Sequence, residues 1–286
     1  MINNFYIIFF RNGHKQFIYT NIYTFFRLLY ILFLALSKFN FMIKKCLCFA
    51  ILISNFIQAQ ESIQTDRPDQ TETPAIVPKN ILQIETGFNY QKENNDVSSS
   101  NLPTILIKYG VNDILEIRLI TGFDNQKNKN TIQSGFPSTL IGFKTKLAEE
   151  KGLLPKTSFI AHISLPNVAS THFKTNTNAP QFRFTMQHTL TRKINIGYNL
   201  GAEWDGMLPN PTYLYTISSG FTISEKMGSY IELFGFAPEN QKAHHSVDGG
   251  FTYLISNNFM LDLSSGVGIT KNAPKYYLSL GFSFRI

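Results

Sequence analysis

The stretch 276-YYLSLGFSFRI-286 closes the chain, and its pattern decides the fold. On an extended backbone Leu278, Leu280, Phe282, Phe284 and Ile286 share one face, while Tyr277, Ser279, Gly281, Ser283 and Arg285 share the other. A period of two with one apolar and one polar face is the signature of a β-strand. Such a strand exposes an unpaired edge, and closing a barrel onto the first strand removes it. If the polar face is the enclosed one, the apolar face outside meets lipid.

Working outward, the same alternation recurs at 81–90, 104–111, 115–123, 140–147, 157–165, 181–190, 194–205, 213–223, 229–236, 247–254 and 259–267, for about twelve strands in all. The fold class expected is all-β, an antiparallel up-and-down transmembrane barrel over residues 80–286. Its polar positions carry Glu85, Lys108, Glu116, Arg118, Lys144, Lys146, Arg183, Glu203, Asp205, Glu232, Asp248, Asp262 and Arg285. Connections supply a second pattern. Asn112-Asp113, Arg192-Lys193, Ser224-Glu225-Lys226 and Ser256-Asn257-Asn258 are tight, and 148–155 is the long member of that set; 91–101, 124–136, 166–180, 206–212, 238–245 and 270–275 are longer. Short and long connections in alternation, with an even strand count, describe an outer-membrane barrel with periplasmic turns and extracellular loops. A soluble lipocalin-like barrel would reverse the faces. Tyr90, Tyr109, Phe123, Trp204, Tyr213 and Tyr253 stand near strand ends, where interface girdles form.

The net charge of +7 does not describe the barrel. Six of the 26 basic residues, and none of the 19 acidic ones, precede Glu61, so the remainder is within one charge of neutral and implies no nucleic-acid partner. Both cysteines, Cys46 and Cys48, fall in the same leader, which leaves a cysteine-free body. Lys44 and Lys45, an apolar run over 46–57 and the small Ala59 read as a signal peptide over 42–59. Residues 1–41 read as an upstream extension with translation starting at Met42; the competing reading, a membrane anchor over 25–36, is interrupted by Arg27 and short of the ~20 residues a span needs. Residues 60–79 are polar, proline-bearing and without period: an irregular periplasmic segment.

The segment QTDRPDQTETP, followed by ILQIETGFNY, resembles a family of bacterial outer-membrane proteins assigned to the MetA-pathway of phenol degradation. KYGVNDILEIRL, KLAEEKGLLP and VDGGFTYLISNNFMLDLSSGVG extend the resemblance from about Gln64 to the end. It implies an outer-membrane transport barrel from a Gram-negative bacterium of the Bacteroidetes type, and does not name phenol as the solute. Ile286 departs from the terminal aromatic usual in such barrels, which weakens the signal read by the barrel-assembly machinery.

Function is expected to be passive passage of a small solute through the polar lumen, with lipid outside and no cofactor; the alternative is a structural or ligand-binding barrel without conductance. Two readings of the inward charges stay open: a solute-selecting lining, or a salt-bridge network filling a barrel too narrow to conduct. Asp66, Arg67, Asp69, Thr71 and Glu72 are expected to fold into the periplasmic mouth as a plug, against the alternative of a disordered tail. His162 and Ser164, two apart on one strand, raise a lipid hydrolase, but their alternation turns them inward, away from lipid. His244 and His245 fall with Glu239 in an expected external loop, without further ligands for a metal.

Overall fold

The computed structural model describes residues 61–286 throughout, and before them only the backbone of a two-stranded hairpin, β1 (Phe9–Arg11) and β2 (His14–Gln16). The expected signal peptide at 42–59 lies outside the described residues, as does the rest of the leader apart from that hairpin. The chain divides into two units, Met1–Gln60 and Glu61–Ile286.

The second unit is a closed antiparallel barrel. Its strands are β3 (Leu82–Lys92), β4 (Val97–Asn112), β5 (Leu115–Asn128), β7 (Thr139–Ala148), β8 (Lys156–Leu165), β9 (Pro180–Thr189), β10 (Ile194–Glu203), β11 (Thr212–Thr222), β12 (Met227–Pro238), β13 (His244–Ser256), β14 (Phe259–Gly268) and β15 (Tyr276–Arg285); β6 (Thr131–Gly135) only extends the end of β5. Each of the twelve pairs with its neighbours in sequence, and β15 closes on β3 with Gly281 opposite Gly87 and Phe284 opposite Ile84. The seam is pinned at its end by two backbone hydrogen bonds of 2.9 Å, Leu82 to Ile286 and Ile286 to Leu82. No edge is left in the ring.

The faces sort as the alternation requires. Ile117, Ile141, Phe184, Leu263, Leu278 and Leu280 point outward and are exposed, whereas Lys108 (1%), Glu116 (0%), Arg118 (1%) and Lys144 (0%) are sealed inside. A protein with charges in its interior and aliphatic side chains on its surface is built for a hydrocarbon surround. Tyr90, Tyr213 and Tyr276 near the long-loop end, and Tyr109 and Tyr253 near the short-turn end, are exposed at the rims. Inward apolar side chains such as Leu106, Ile160, Leu214 and Phe234 are a minority.

Three connections differ from the sequence reading. The expected loop 91–101 is mostly strand, with β3 running to Lys92 and β4 starting at Val97; the expected loop 124–136 is likewise taken up by the end of β5 and by β6. These hairpins rise beyond the apolar band, where water wets both faces and alternation carries no selective advantage. His244 and His245 begin β13 rather than lying in a loop: His244 stacks on Phe236 and His245 Nδ1 lies 2.8 Å from the Tyr215 hydroxyl.

Candidate functional site

The residues before β3 have no regular secondary structure, yet they are fixed. Ile63 N–H donates to the Asn257 carbonyl (2.8 Å) in a short turn, and Arg285 holds the carbonyl of Glu61 through Nη2 and Asn258 through Nε. From this end the chain rises into the lumen, turns at Arg67-Pro68-Asp69-Gln70, and returns so that Asn80 N–H meets the Gly110 carbonyl at 2.7 Å, just before β3. Both ends of the inserted segment are therefore at the short-turn mouth.

Asp66 is its anchor. Lys108 Nζ (2.9 Å), Arg118 Nη1 (3.0 Å) and Lys144 Nζ (2.9 Å) converge on its carboxylate from β4, β5 and β7. Its backbone N–H donates to Glu85 Oε2 at 3.0 Å, and Glu85 in turn meets Lys108 at 2.5 Å. Arg118 reaches Glu72 (2.6 Å) and Glu116 (3.2 Å), and Arg183 reaches Glu72 (3.4 Å) and the Gln70 carbonyl (2.9 Å). The carboxylates of Asp66, Glu72, Glu85 and Glu116 are thus matched by Lys108, Arg118, Lys144 and Arg183. Each charge is buried with its counter-charge, as a low-dielectric interior demands. Burial opposes ionisation of Asp66, but the three surrounding cations outweigh it and hold its carboxyl well below the usual carboxylate range. Glu72 is lowered by the same contest, with Arg118 and Arg183 prevailing over burial.

The far side of the lumen is organised differently. Arg67 Nη2 binds Asp262 (2.8 Å) and Ser279 (3.0 Å), its guanidinium lying in a notch formed by Gly87 and Gly281; a Cβ on either glycine would overlap it. Glu232 accepts from the Gln70 N–H (2.7 Å) and the Thr71 hydroxyl (2.5 Å), and Thr71 also meets Thr216 at 2.6 Å. Asn199 bonds both ways with the Glu72 backbone, at 2.8 and 3.1 Å. For Asp69, burial pushes the carboxyl up to about 7, with Ser218 opposing the shift and the nearby Asp248 adding to it.

Among the described residues, two cavities touch the same turn. One, of about 390 Å³, opens toward the long loops and is lined by Arg67, Pro68, Asp69, Asn89, Phe234 and Tyr277 among others. The second, of about 360 Å³, opens toward the short turns and is lined by Ser62, Arg67, Pro68, Asp69, Ser218 and Lys226 among others. Arg67-Pro68-Asp69 stands between them.

Several sites read from sequence fall elsewhere. Asp205 is not in the lumen: β10 ends at Glu203, and Asp205 accepts from the N–H groups of Met207 (2.7 Å) and Leu208 (2.9 Å) in an exposed Asp-Gly turn whose local bonding ends the alternation. Lys146 turns to Glu149 at the rim, at 2.7 Å. Arg285 is buried but borders neither cavity, serving instead to hold Glu61. Glu203 sits beside Arg183 at the long-loop end of β10. His162 faces inward under Arg118 Nε (3.2 Å) and Ser164 receives the Ala179 N–H (2.9 Å), so neither side chain is presented to lipid. Sequence reasoning placed Asn199 on the inner face without giving it a site role, and passed over Tyr230, Thr216 and Ser218, although the same period of two places each of them on an inner face.

Residues 65–286 match the family described as "Putative MetA-pathway of phenol degradation". The fold is similar to that of an outer membrane channel from Pseudomonas putida F1, with a TM-score of 0.61 and 11% identity over 77% of this chain and 99% of that one. The NanC and KdgM porins align at TM-scores of 0.49 and 0.48, with 9% and 10% identity over 71% of this chain and 98% of each of theirs. Among curated protein sequences there is no match.

Proposed function

The chain belongs to the family of the MetA-pathway of phenol degradation, and from that premise we propose that it is an outer-membrane channel for a small solute, closed in this state by the segment inserted before β3. The observation that carries the reading is the pair of cavities of about 390 and 360 Å³ that meet at one turn, Arg67-Pro68-Asp69. Displacing a single loop joins them into a passage along β10–β15 and, toward the long loops, the ends of β3 and β4. The opposite half, packed by the Asp66 cluster, stays filled and anchors the loop. The short turns face the periplasm and the long loops the cell exterior, with the leader removed on export. The closing strand is the part the assembly machinery reads.

Liposome swelling with sugars, amino acids and aromatic acids tests the reading on the wild type and on a form lacking residues 65–73. The shortened form is expected to admit solute faster. A barrel that is closed to every solute in both forms has no passage, and the filled half of the lumen would then define a structural barrel.

A further inference from the structure

Glu232 on β12 and Asp248 on β13 are direct cross-strand partners, a position in which like charges repel. Among the described residues no lysine, arginine or histidine forms an ion pair with either. Glu232 is served by an amide and a hydroxyl, both neutral. Asp248 Oδ2 accepts from the hydroxyls of Tyr277 and, at 3.4 Å, Tyr230. Its other oxygen, Oδ1, has no donor, although the residue is only 6% exposed. Asp69, from the inserted turn, lies near both carboxylates.

The lumen therefore segregates its charge. Acids in the Asp66 cluster are each matched by a base, while Asp69, which lines both cavities, and Glu232 and Asp248, buried in the wall behind the turn, have none: Arg67, which borders both cavities, is already neutralised by Asp262. The inner cavity adds one charge of each sign, Glu225 and Lys226. The residues described include no group of three side chains suited to a metal ion. The outer cavity instead gathers the aromatic residues Phe234, Phe236, Tyr276 and Tyr277 with Asp69, and Tyr277 donates its hydroxyl to Asp248 behind them. Rings and uncompensated carboxylates together attract an ammonium group carried on an organic body.

We propose that the passage selects small organic cations, with Glu232 and Asp248, uncovered when the inserted turn withdraws, supplying the counter-charge at the constriction and the aromatic wall of the outer cavity making the first contact. This rests on the channel reading above. The missing partner of Asp248 Oδ1 is the cationic head of the solute in transit.

The test is the reversal potential of the full barrel in planar bilayers under a choline chloride gradient, in the wild type and in the form lacking residues 65–73. Glu232→Gln and Asp248→Asn are made singly and together in both, with barrel folding checked by heat-modifiable gel mobility, so that either substitution decides if the other does not fold. Choline is expected to be more permeant than chloride, and each substitution to lower that ratio by about threefold or more, as the loss of a unit charge at contact range implies. Preference for chloride, or a ratio that the substitutions leave unchanged, overturns the selectivity while leaving the channel intact. Absence of current in both forms removes the channel and the selectivity with it.

Discussion

Asp66 answers three cations from three different strands, and that number sets what its loss would do. Asp66→Asn leaves Lys108, Arg118 and Lys144 short of a counter-charge, and breaking a buried ionic group in this way costs roughly 3–5 kcal/mol. The expected result is a segment that undocks while the barrel persists, seen as proteolysis confined to residues 61–79 and a higher conductance. Protonation acts on the same docking. Free of the barrel, Asp69 has its ordinary value of 3.8, and docked it is pushed up to about 7, so between those values the docked form holds the extra proton and docking weakens as pH rises. Asp66 and Glu72 work in the opposite sense: lowered on docking, they contribute fully above their ordinary values, and that contribution is lost as pH falls through the lowered ones. Docking is firmest near about pH 4, close to the ordinary carboxylate values, and conductance is expected to rise between about pH 4 and 7 and to level off above that; a flat profile across that range removes Asp69 from the control. The sequence showed that Asp66, Arg67, Asp69 and Glu72 were a polar cluster out of place in a tail. It could not show which of the inner charges each would meet, because those partners stand 42 to 195 positions away and only barrel closure brings them together.

At the scale of the element, alternation was legible wherever lipid enforces it and vanished where lipid ends. Strand β12 is indistinct in sequence because inward Tyr230 and Phe234 put aromatic residues on the polar face, while Ser229 and Gly235 fall on the apolar one. The hairpins at 91–101 and 124–136 were unreadable for the reason that water lies on both their sides. The glycines at Gly87 and Gly281 have a specific purpose: paired across the seam, they leave the room that the guanidinium of Arg67 occupies. Gly281→Val fills that notch. Arg67 is then expected to lose Asp262, and single-channel recordings should show longer open times with gel mobility of the folded barrel unchanged. An unaltered open time would mean that Arg67 does not hold the turn in place.

For the molecule as a whole, the inverted distribution of charge and apolar surface was the strongest message in the sequence, and the barrel follows from it. The division of the lumen into a filled half and a half with cavities was not legible, since it depends on where an aperiodic segment lies. That segment can be locked. Thr71 and Thr216 oxygens are 2.6 Å apart, and the chain after Gln60 contains no cysteine, so Thr71→Cys with Thr216→Cys offers a disulfide with no competing thiol. Oxidised, the double variant is expected to stay shut; reduction should restore wild-type current, and a current indifferent to reduction would refute gating by displacement of the segment. The route of the segment carries one more consequence. Because it enters and leaves by the same mouth, near Asn257 and Gly110, it is a bight pushed into a ring and not a thread passed through one. Nothing is knotted: withdrawing it breaks its own bonds and none in the wall, so work done to open the pore and work done to unfold the barrel are separate quantities, and a pull from below could supply the first without touching the second.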